Sequence, residues 1–417
     1  MPIPDMKTPS LLFISHEASR TGAPLLLLHL LRWIRRHTPW EIEILLGDGG
    51  ELVGEFEALA PVSRLPPWSS ALRPRAIRDR LAHRRVVSRI KARPWSLVYS
   101  NTATNGEILR IFGGRQPVIS HIHELATTIR QLGTDNFADV CRHTTRFIAC
   151  AEVVKRDLID HWPIEPTSVD VVHGFVDMPP LTADDAERAR RRVRNELGIP
   201  QDAFVVGACG VVAWRKAPDV FVALANRVNA QSSQAPVHFV WMGAFADTIT
   251  EQQVNHDLCG LGLKGHVHFI GARTNARPYF HAFDVFAMVS REDPFPLVCL
   301  EAASVGSPIV CFDYACGTQE FVEDDCGAVL PYQNVEAMAM AILRLRQDDE
   351  LRRAQGRRAA EKVRERHDID HAAPKIVDIV ERLIARHEAP VKANMGAEQW
   401  TPVSPASHRE TAMPSDT

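Results

Sequence analysis

None of the eight cysteines, at positions 141, 150, 209, 259, 299, 311, 316 and 326, forms a Cys-x-x-Cys pair. Neither a zinc knuckle nor a disulfide framework is therefore indicated, and the usage suits a reducing compartment. No apolar run approaches the roughly 18 residues that a membrane-spanning helix needs. The richest one starts at Pro24 and stops at Arg32. The first ten residues lack the basic start and long apolar core of a cleaved signal peptide. Net charge is also scarce: 48 Lys and Arg stand against 51 Asp and Glu, a formal balance of −3, so nothing global points to nucleic acid. What is present is ordinary globular material, 45% hydrophobic and 24% charged over 417 residues, enough for two sizeable cores. These features predict a cytoplasmic, two-domain protein.

Near-continuous apolar runs alternate with stretches of helical period. In the first half the runs cover 11–15, 41–46, 96–101, 117–123 and 146–151; in the second they cover 204–212, 237–243, 266–271, 285–290, 308–313 and 327–331. Such runs read as strands buried on both faces, and most are separated by room for one helix. The fold class predicted is α/β, with two doubly wound parallel sheets. A short strand at 169–172 ends the first set, and Gly174, Pro179 and Pro180 mark the break after it. The expected units are 1–173, then 174–388 including the C-terminal helices, then a polar, Pro- and Ser-rich tail at 389–417 expected to be disordered. One segment differs from this pattern. From Arg73 to Arg93 there are nine Arg or Lys and one acid, Asp79, with Ile77, Leu81, Val86, Val87 and Ile90 on a rough helical stripe. It reads either as a surface for anionic membrane or an acidic partner, or as a solvated helix packing one face on its own domain.

Ligands of doubly wound sheets bind beyond the carboxyl ends of the strands, so the residues after each strand carry the functional reading. After the first strand come Thr21, Gly22 and Pro24, then a leucine-rich helix. Gly22 lets a ligand approach the backbone, and a helix start attracts phosphate. This loop is not a Gly-x-Gly-x-x-Gly fingerprint, which argues against a nicotinamide enzyme. At 121–124 the run His-Ile-His-Glu places His121 and His123 on one face of an extended segment, with Glu124 on the other. Two histidines can bind metal, but no third ligand is evident, and structural histidines are the commoner case. At a cleft mouth, an imidazole suits a substrate hydroxyl. The second half opens with a strand followed by Arg215 and Lys216, a pair able to hold a diphosphate and stabilise it as it leaves. Alternatively the two are solvated surface cations. The most specific block runs from Ser290 to Pro308 and holds Asp293, Pro296 and Glu301, with a helix expected from about Pro296 to Val305. Free N–H groups of Phe295, Leu297 and Val298 at its start make a ready anion site. Retaining hydrolases place two carboxyls about 5–5.5 Å apart, whereas eight helical positions span about 12 Å. Asp293 and Glu301 therefore suit two contacts on one extended ligand better than an acid–nucleophile pair.

This block resembles the Glu-x7-Glu signature of retaining glycosyltransferases with the GT-B fold, family GT4, with Asp293 in place of the first Glu and Glu301 as the second. Other landmarks follow in order: Ser19 to Pro24, Val98 to Thr102, His121 to Glu124, His173 to Asp177, Arg215 and Lys216, Trp241 to Gly243, and Phe269 to Gly271. The resemblance implies that Glu301 binds the donor ribose and Asp293 the transferred sugar. It likewise implies that Arg215 and Lys216 hold the diphosphate, that Gly22 closes the first loop on it, and that His123 lies near the donor sugar. Ile270 and Gly271 would flank the base through main-chain atoms. Val211 stands where the family often has Arg, and Arg215 is the residue placed to compensate.

The reaction implied is transfer with retention from a nucleoside-diphosphate sugar to an acceptor hydroxyl in glycan or polysaccharide biosynthesis. It needs no cofactor and no metal, and the leaving phosphate takes the acceptor's proton. The acceptor class stays open among glycan, lipid-linked and protein hydroxyls, with peripheral contact at the inner membrane face through Arg73–Arg93. The rival readings are a sugar-nucleotide epimerase of the same fold and a non-catalytic sugar-nucleotide binder.

Overall fold

The computed structural model describes residues 8–66, 74–112, 114–179, 181–232 and 235–388; the expected disordered tail and Arg73 lie outside them. The apolar runs form two parallel sheets. The first holds β1 (Ser10–Ser15), β2 (Glu41–Leu46), β3 (Val62–Arg64), β4 (Leu97–Ser100), β5 (Val118–Ile122), β6 (Arg146–Ala149) and β7 (Val169–Val171) in the order β3-β2-β1-β4-β5-β6-β7. The second holds β8 (Val205–Cys209), β9 (His238–Met242), β10 (Val267–Phe269), β11 (Val285–Met288), β12 (Ile309–Phe312) and β13 (Gly327–Leu330) in the order β10-β9-β8-β11-β12-β13. Both orders reverse direction once, between β1 and β4 and between β8 and β11. At such a switch the two adjacent connections leave on opposite faces and open a crevice at the strands' carboxyl ends. The strand β3 escapes a sequence reading because three residues, with only Ser63 buried, leave no apolar run.

Leucine content and spacing explain the first helix. Gly22–His37 buries Pro24, Leu26, Leu27, Leu28, Leu30, Leu31 and Ile34 against the first sheet, and Arg35, Arg36 and His37 favour its negative C-terminal end. The last helix, Ile369–Glu388, revises the expected division. Its apolar face, with Ile369, Ala372, Ala373, Ile376, Ile379, Val380 and Ile384, joins the core of the first sheet rather than the second. Its entry is fixed by Val176, which exchanges backbone hydrogen bonds with His367 (2.9 Å) and Ile369 (3.1 Å), and by the Trp33 indole N–H on Asp370 Oδ1 at 2.7 Å. Asp368 and Asp370 have the spacing of a divalent-metal motif, but Asp368 caps this helix, its Oδ1 accepting the Asp370 N–H at 2.9 Å, and Asp370 is taken by the Trp33 indole.

The basic segment forms helix Pro74–Ala92. Its stripe is divided between two environments. Ile90 is buried and Val86 packs on the core, while Leu81 is half exposed. Two of its cations are tied to their own domain, Arg89 on the buried Glu43 (2.7 Å) and Arg93 on Glu41 (2.9 Å). Arg78, Arg84, Arg85 and Lys91 are exposed.

Candidate functional site

At the first switch point, three strand ends converge. Asn101, directly after β4, is fully buried; its amide donates to the Ala23 carbonyl at 2.7 Å and its Oδ1 lies 3.2 Å from His123 Nε2. Asn101 thus ties the start of helix Gly22–His37 to the end of β5. With Nε2–H engaged there, His123 keeps Nδ1 as a hydrogen-bond acceptor. Burial, with a smaller push from nearby His16, lowers its pKa to about 3, so the imidazole is neutral at any working pH. It is suited to receive a hydroxyl, not to deliver a proton. His121 lies beside it, its ring tilted by 43° with centroids 4.1 Å apart, but is sealed in the core with Nδ1 on the Tyr99 hydroxyl at 2.7 Å. Glu124 turns back to accept the Ala103 and His123 N–H groups at 3.1 and 2.9 Å and the Thr102 hydroxyl.

Gly22 is the first residue of its helix, after Thr21 at the cap position with no side-chain cap bond. A Cβ built on Gly22 meets no atom within 4 Å, so nothing inside the chain requires glycine there. The open space lies at an uncapped helix start, where a phosphate is welcome.

At the second switch point, β8 is followed by Gly210, whose φ of +136° favours glycine. Here the absent side chain also matters: a Cβ would meet Lys216 Cε at 3.2 Å, and a Cβ on Gly243 would strike the Gly210 carbonyl oxygen at 1.9 Å. The short helical turn Trp214–Lys216 returns the chain across β11. Lys216 reaches Asp293 in an ion pair, and Arg215 stands 3.5 Å from the other oxygen of the same carboxylate while donating to the Glu292 carbonyl at 2.8 Å. Asp293 is held by its own backbone, its N–H on the Ala315 carbonyl at 2.9 Å. Arg215 and Lys216 are therefore not two solvated cations. They share one buried acid. Val211, at the position where Arg is common, is about half exposed.

Helix Leu297–Ser304 begins one residue later than expected and has no side-chain cap, so its first N–H groups stay open. Leu297 and Val298 supply them. Pro296 has no N–H to give and fixes the entry instead. The Phe295 ring packs away from the cleft side of this turn: it stacks on His367, centroids 5.5 Å apart, and a Cβ on Gly174 would meet its Cδ1 at 2.6 Å. Glu301, one turn on, is half-buried, and burial pushes its pKa up to about 7. Its charge is felt by Cys209, which places the carboxylate beside the end of β8. Ile270 donates its N–H to the Trp241 carbonyl at 2.9 Å, and the Gly271 carbonyl accepts from Gly243 at 3.0 Å, forming a main-chain shelf after β9 and β10.

The two sheets meet close to these residues. Burial pushes the Cys150 thiol well up, and Glu124 from the first sheet with Asp293 and Glu320 from the second raises it further. No motif in the sequence singles out Glu320. It accepts the Glu152 and Val153 N–H groups at 2.9 and 2.8 Å, capping a helix of the opposite unit, and pairs with His173 at 2.8 Å. Burial raises this carboxyl, but those hydrogen bonds outweigh burial and hold it below the usual range. A further cavity of about 900 Å³ opens in the first unit beside His16, walled by Asp48, Asn105, Glu107, Arg110 and Leu132.

Comparison with known proteins agrees with this layout. A family model described as Glycosyltransferase Family 4 matches residues 20–178, and one described as Glycosyl transferases group 1 matches 203–348. A D-inositol 3-phosphate glycosyltransferase of Salinispora arenicola is 31% identical over 41% of this chain and 40% of its own. Its counterpart in Salinispora tropica is 29% identical over 60% and 53%. The alignments thus span about half the length of these relatives. Among solved structures, Anabaena HepE in complex with UDP and glucose superposes with a TM-score of 0.72 at 20% identity, covering 89% of this chain and 99% of that one. Sucrose-phosphate synthase of Thermosynechococcus elongatus gives 0.72 at 16%, over 91% and 100%. With both of its halves matched and two parallel sheets facing one another at their switch points, the chain belongs to the family 4, or group 1, glycosyltransferases and has the GT-B fold.

Proposed function

We propose that this chain transfers a sugar, with retention of configuration, from a nucleoside-diphosphate sugar to an acceptor hydroxyl. The observation that carries the reading is the meeting of Lys216 and Arg215 on Asp293, four residues before the open start of helix Leu297–Ser304. Positive charge from two side chains and a helix end is what a departing diphosphate requires. Glu301 takes the ribose hydroxyls, the shelf of Ile270 and Gly271 the base, and Asp293 the hydroxyls of the transferred sugar. His123, held neutral, accepts a sugar hydroxyl from the other side of the cleft, while Gly22 admits the diphosphate to its helix start. Lys216, Arg215 and the helix start meet the charge demand, so the mechanism needs no metal. No carboxylate stands as a nucleophile in this assignment; the acceptor attacks on the face the phosphate leaves, and that phosphate takes its proton. The relatives' D-inositol 3-phosphate is one candidate acceptor, to be held in the cavity beside His16.

A thermal-shift series with nucleoside diphosphates and sugar nucleotides tests the donor site without any acceptor. A ligand at 100 times its Kd stabilises the folded chain by about 2.7 kcal/mol. Absence of any shift across the uridine, guanosine, adenosine and thymidine series rejects the reading. Conversion of the bound sugar nucleotide to an epimer without acceptor assigns the epimerase instead, and binding without transfer to any acceptor assigns the non-catalytic binder.

We also propose peripheral attachment to anionic lipid through helix Pro74–Ala92. The support is electrostatic, because Val86 and Ile90 of the apolar stripe face the core while Arg78, Arg84, Arg85 and Lys91 are exposed. Flotation with phosphatidylglycerol vesicles is expected at low salt and lost at high salt, since exposed charges are screened over about 8 Å at physiological ionic strength. Salt-insensitive flotation, or none, leaves a solvated helix.

A further inference from the structure

Aromatic residues make up 7% of the chain, with only four tyrosines. Tyr99 and Tyr279 are buried; the other two are not. Among the described residues, the Trp, Tyr and Phe side chains left about half exposed or more are Trp214 (62%), Tyr314 (80%) and Tyr332 (49%). All three follow strands of the second sheet at the carboxyl ends: Trp214 after β8, Tyr314 after β12 and Tyr332 after β13. The strand between, β11, contributes Arg291, whose guanidinium lies over the Trp214 ring at 5.4 Å and whose carbonyl accepts the Tyr332 hydroxyl at 3.3 Å. Asp313 joins the two tyrosine loops, its N–H on the Leu330 carbonyl at 2.7 Å and its carboxylate accepting the Tyr314 N–H at 2.8 Å. Because β8, β11, β12 and β13 are neighbours in that order, these residues stand in a row of consecutive strand ends, three strand intervals or about 14 Å across.

The row is joined to the proposed site, since Asp293 donates its N–H to Ala315, the residue after Tyr314. Two backbone positions in it are left-handed without being glycine, Tyr314 at φ 56° and Gln333 at φ 54°. For a bulky residue such a conformation is costly and is retained where the surroundings demand it. At its far end Trp214 walls an open cavity of about 650 Å³ with Pro218, Asp219 and His256. Exposed flat rings at consecutive strand ends, interleaved with Arg291, Asp219 and Asp313, match a ligand with apolar C–H faces and polar edges. A pyranose has both, whereas a protein surface of this apolar content offers fewer hydroxyls to the charged groups.

We propose that Trp214, Tyr314 and Tyr332 form a stacking surface for an oligosaccharide acceptor, so that the enzyme extends a glycan chain whose outer units lie along the second domain. This rests on the glycosyltransferase reading above. The test is calorimetric titration of the full chain with maltohexaose, cellohexaose and chitohexaose, each against its monosaccharide, with UDP, GDP and ADP titrated in parallel. At least one hexasaccharide is expected to bind tenfold or more tighter than its monosaccharide. Trp214→Ala and Tyr314→Ala should each weaken it by about tenfold, with nucleotide affinity unchanged. Tyr314→Phe and Tyr332→Phe keep the ring and should retain binding, which a role through the hydroxyl would not allow. A chain that binds a nucleotide but none of the hexasaccharides, or binds one equally well in both alanine variants, overturns the stacking surface alone. A chain that binds no nucleotide overturns the glycosyltransferase reading itself.

Discussion

Replacing Lys216 with alanine is expected to slow single-turnover transfer by about 10²–10³-fold while changing donor affinity much less. Negative charge on the diphosphate grows as the sugar–phosphate bond breaks, so a fixed cation is worth more in the transition state than in the bound donor. In the structure, however, Lys216 is occupied: it pairs with Asp293, and their side chains are only 13% and 8% exposed. Under the donor assignment proposed above, binding exchanges one partner for another, with Lys216 passing to the diphosphate as Asp293 passes to the sugar. Removing Lys216 alone leaves a buried carboxylate without its ammonium, and breaking such a pair costs about 3–5 kcal/mol of stability. Adding Asp293→Asn should restore much of that stability and none of the rate. Thermal unfolding and rapid-quench transfer on the two variants separate these effects. A loss of rate and affinity by the same factor makes Lys216 a uniform binding residue, and a double variant no more stable than the single one removes the pair as the source of the instability.

The same exchange shows why the sequence carries some of this site and not the rest. Strands buried on both faces read as unbroken apolar runs, so β1 and β12 are visible, and the residues that follow each strand can be named from the amino-acid order alone. Thus Lys216 and Asp293 are each legible as candidates. Their pairing is not, because it depends on two loops 77 positions apart meeting over a glycine. Asn101 ends a recognisable apolar run, but its role comes from an amide that joins Ala23 to His123 across the fold. The position of Phe295 at a helix start suggests its N–H, yet its ring meets Gly174 and His367 from distant parts of the chain. An amphipathic pattern likewise announces that Ile369–Glu388 buries one face, and says nothing about which sheet receives it.

Glu301 is where burial, charge and pH meet. Its carboxyl is half-buried at the end of β8, and desolvation alone raises its pKa to about 7. If it accepts the ribose hydroxyls, only the ionised form does so well, because a protonated carboxyl donates where an acceptor is needed. Affinity for a nucleoside diphosphate should therefore fall as pH drops below about 7, approaching tenfold per pH unit, and level off above it. The diphosphate also titrates near pH 6, so the informative quantity is the difference from Glu301→Gln, which keeps the shape and removes the titration. Glu301→Ala should weaken binding by about 1.5–3 kcal/mol at pH 8, the range for a lost charged acceptor. If its partner is the sugar, Asp293→Ala should leave nucleoside diphosphate affinity nearly intact and blur discrimination among donor sugars. Calorimetry of the same nucleotide from pH 5.5 to 8.5 decides the matter. Parallel profiles for the wild type and Glu301→Gln would show that the carboxylate does not touch the ribose. An Asp293→Ala loss as large as that of Glu301→Ala would show that the two acids do not divide the donor between them.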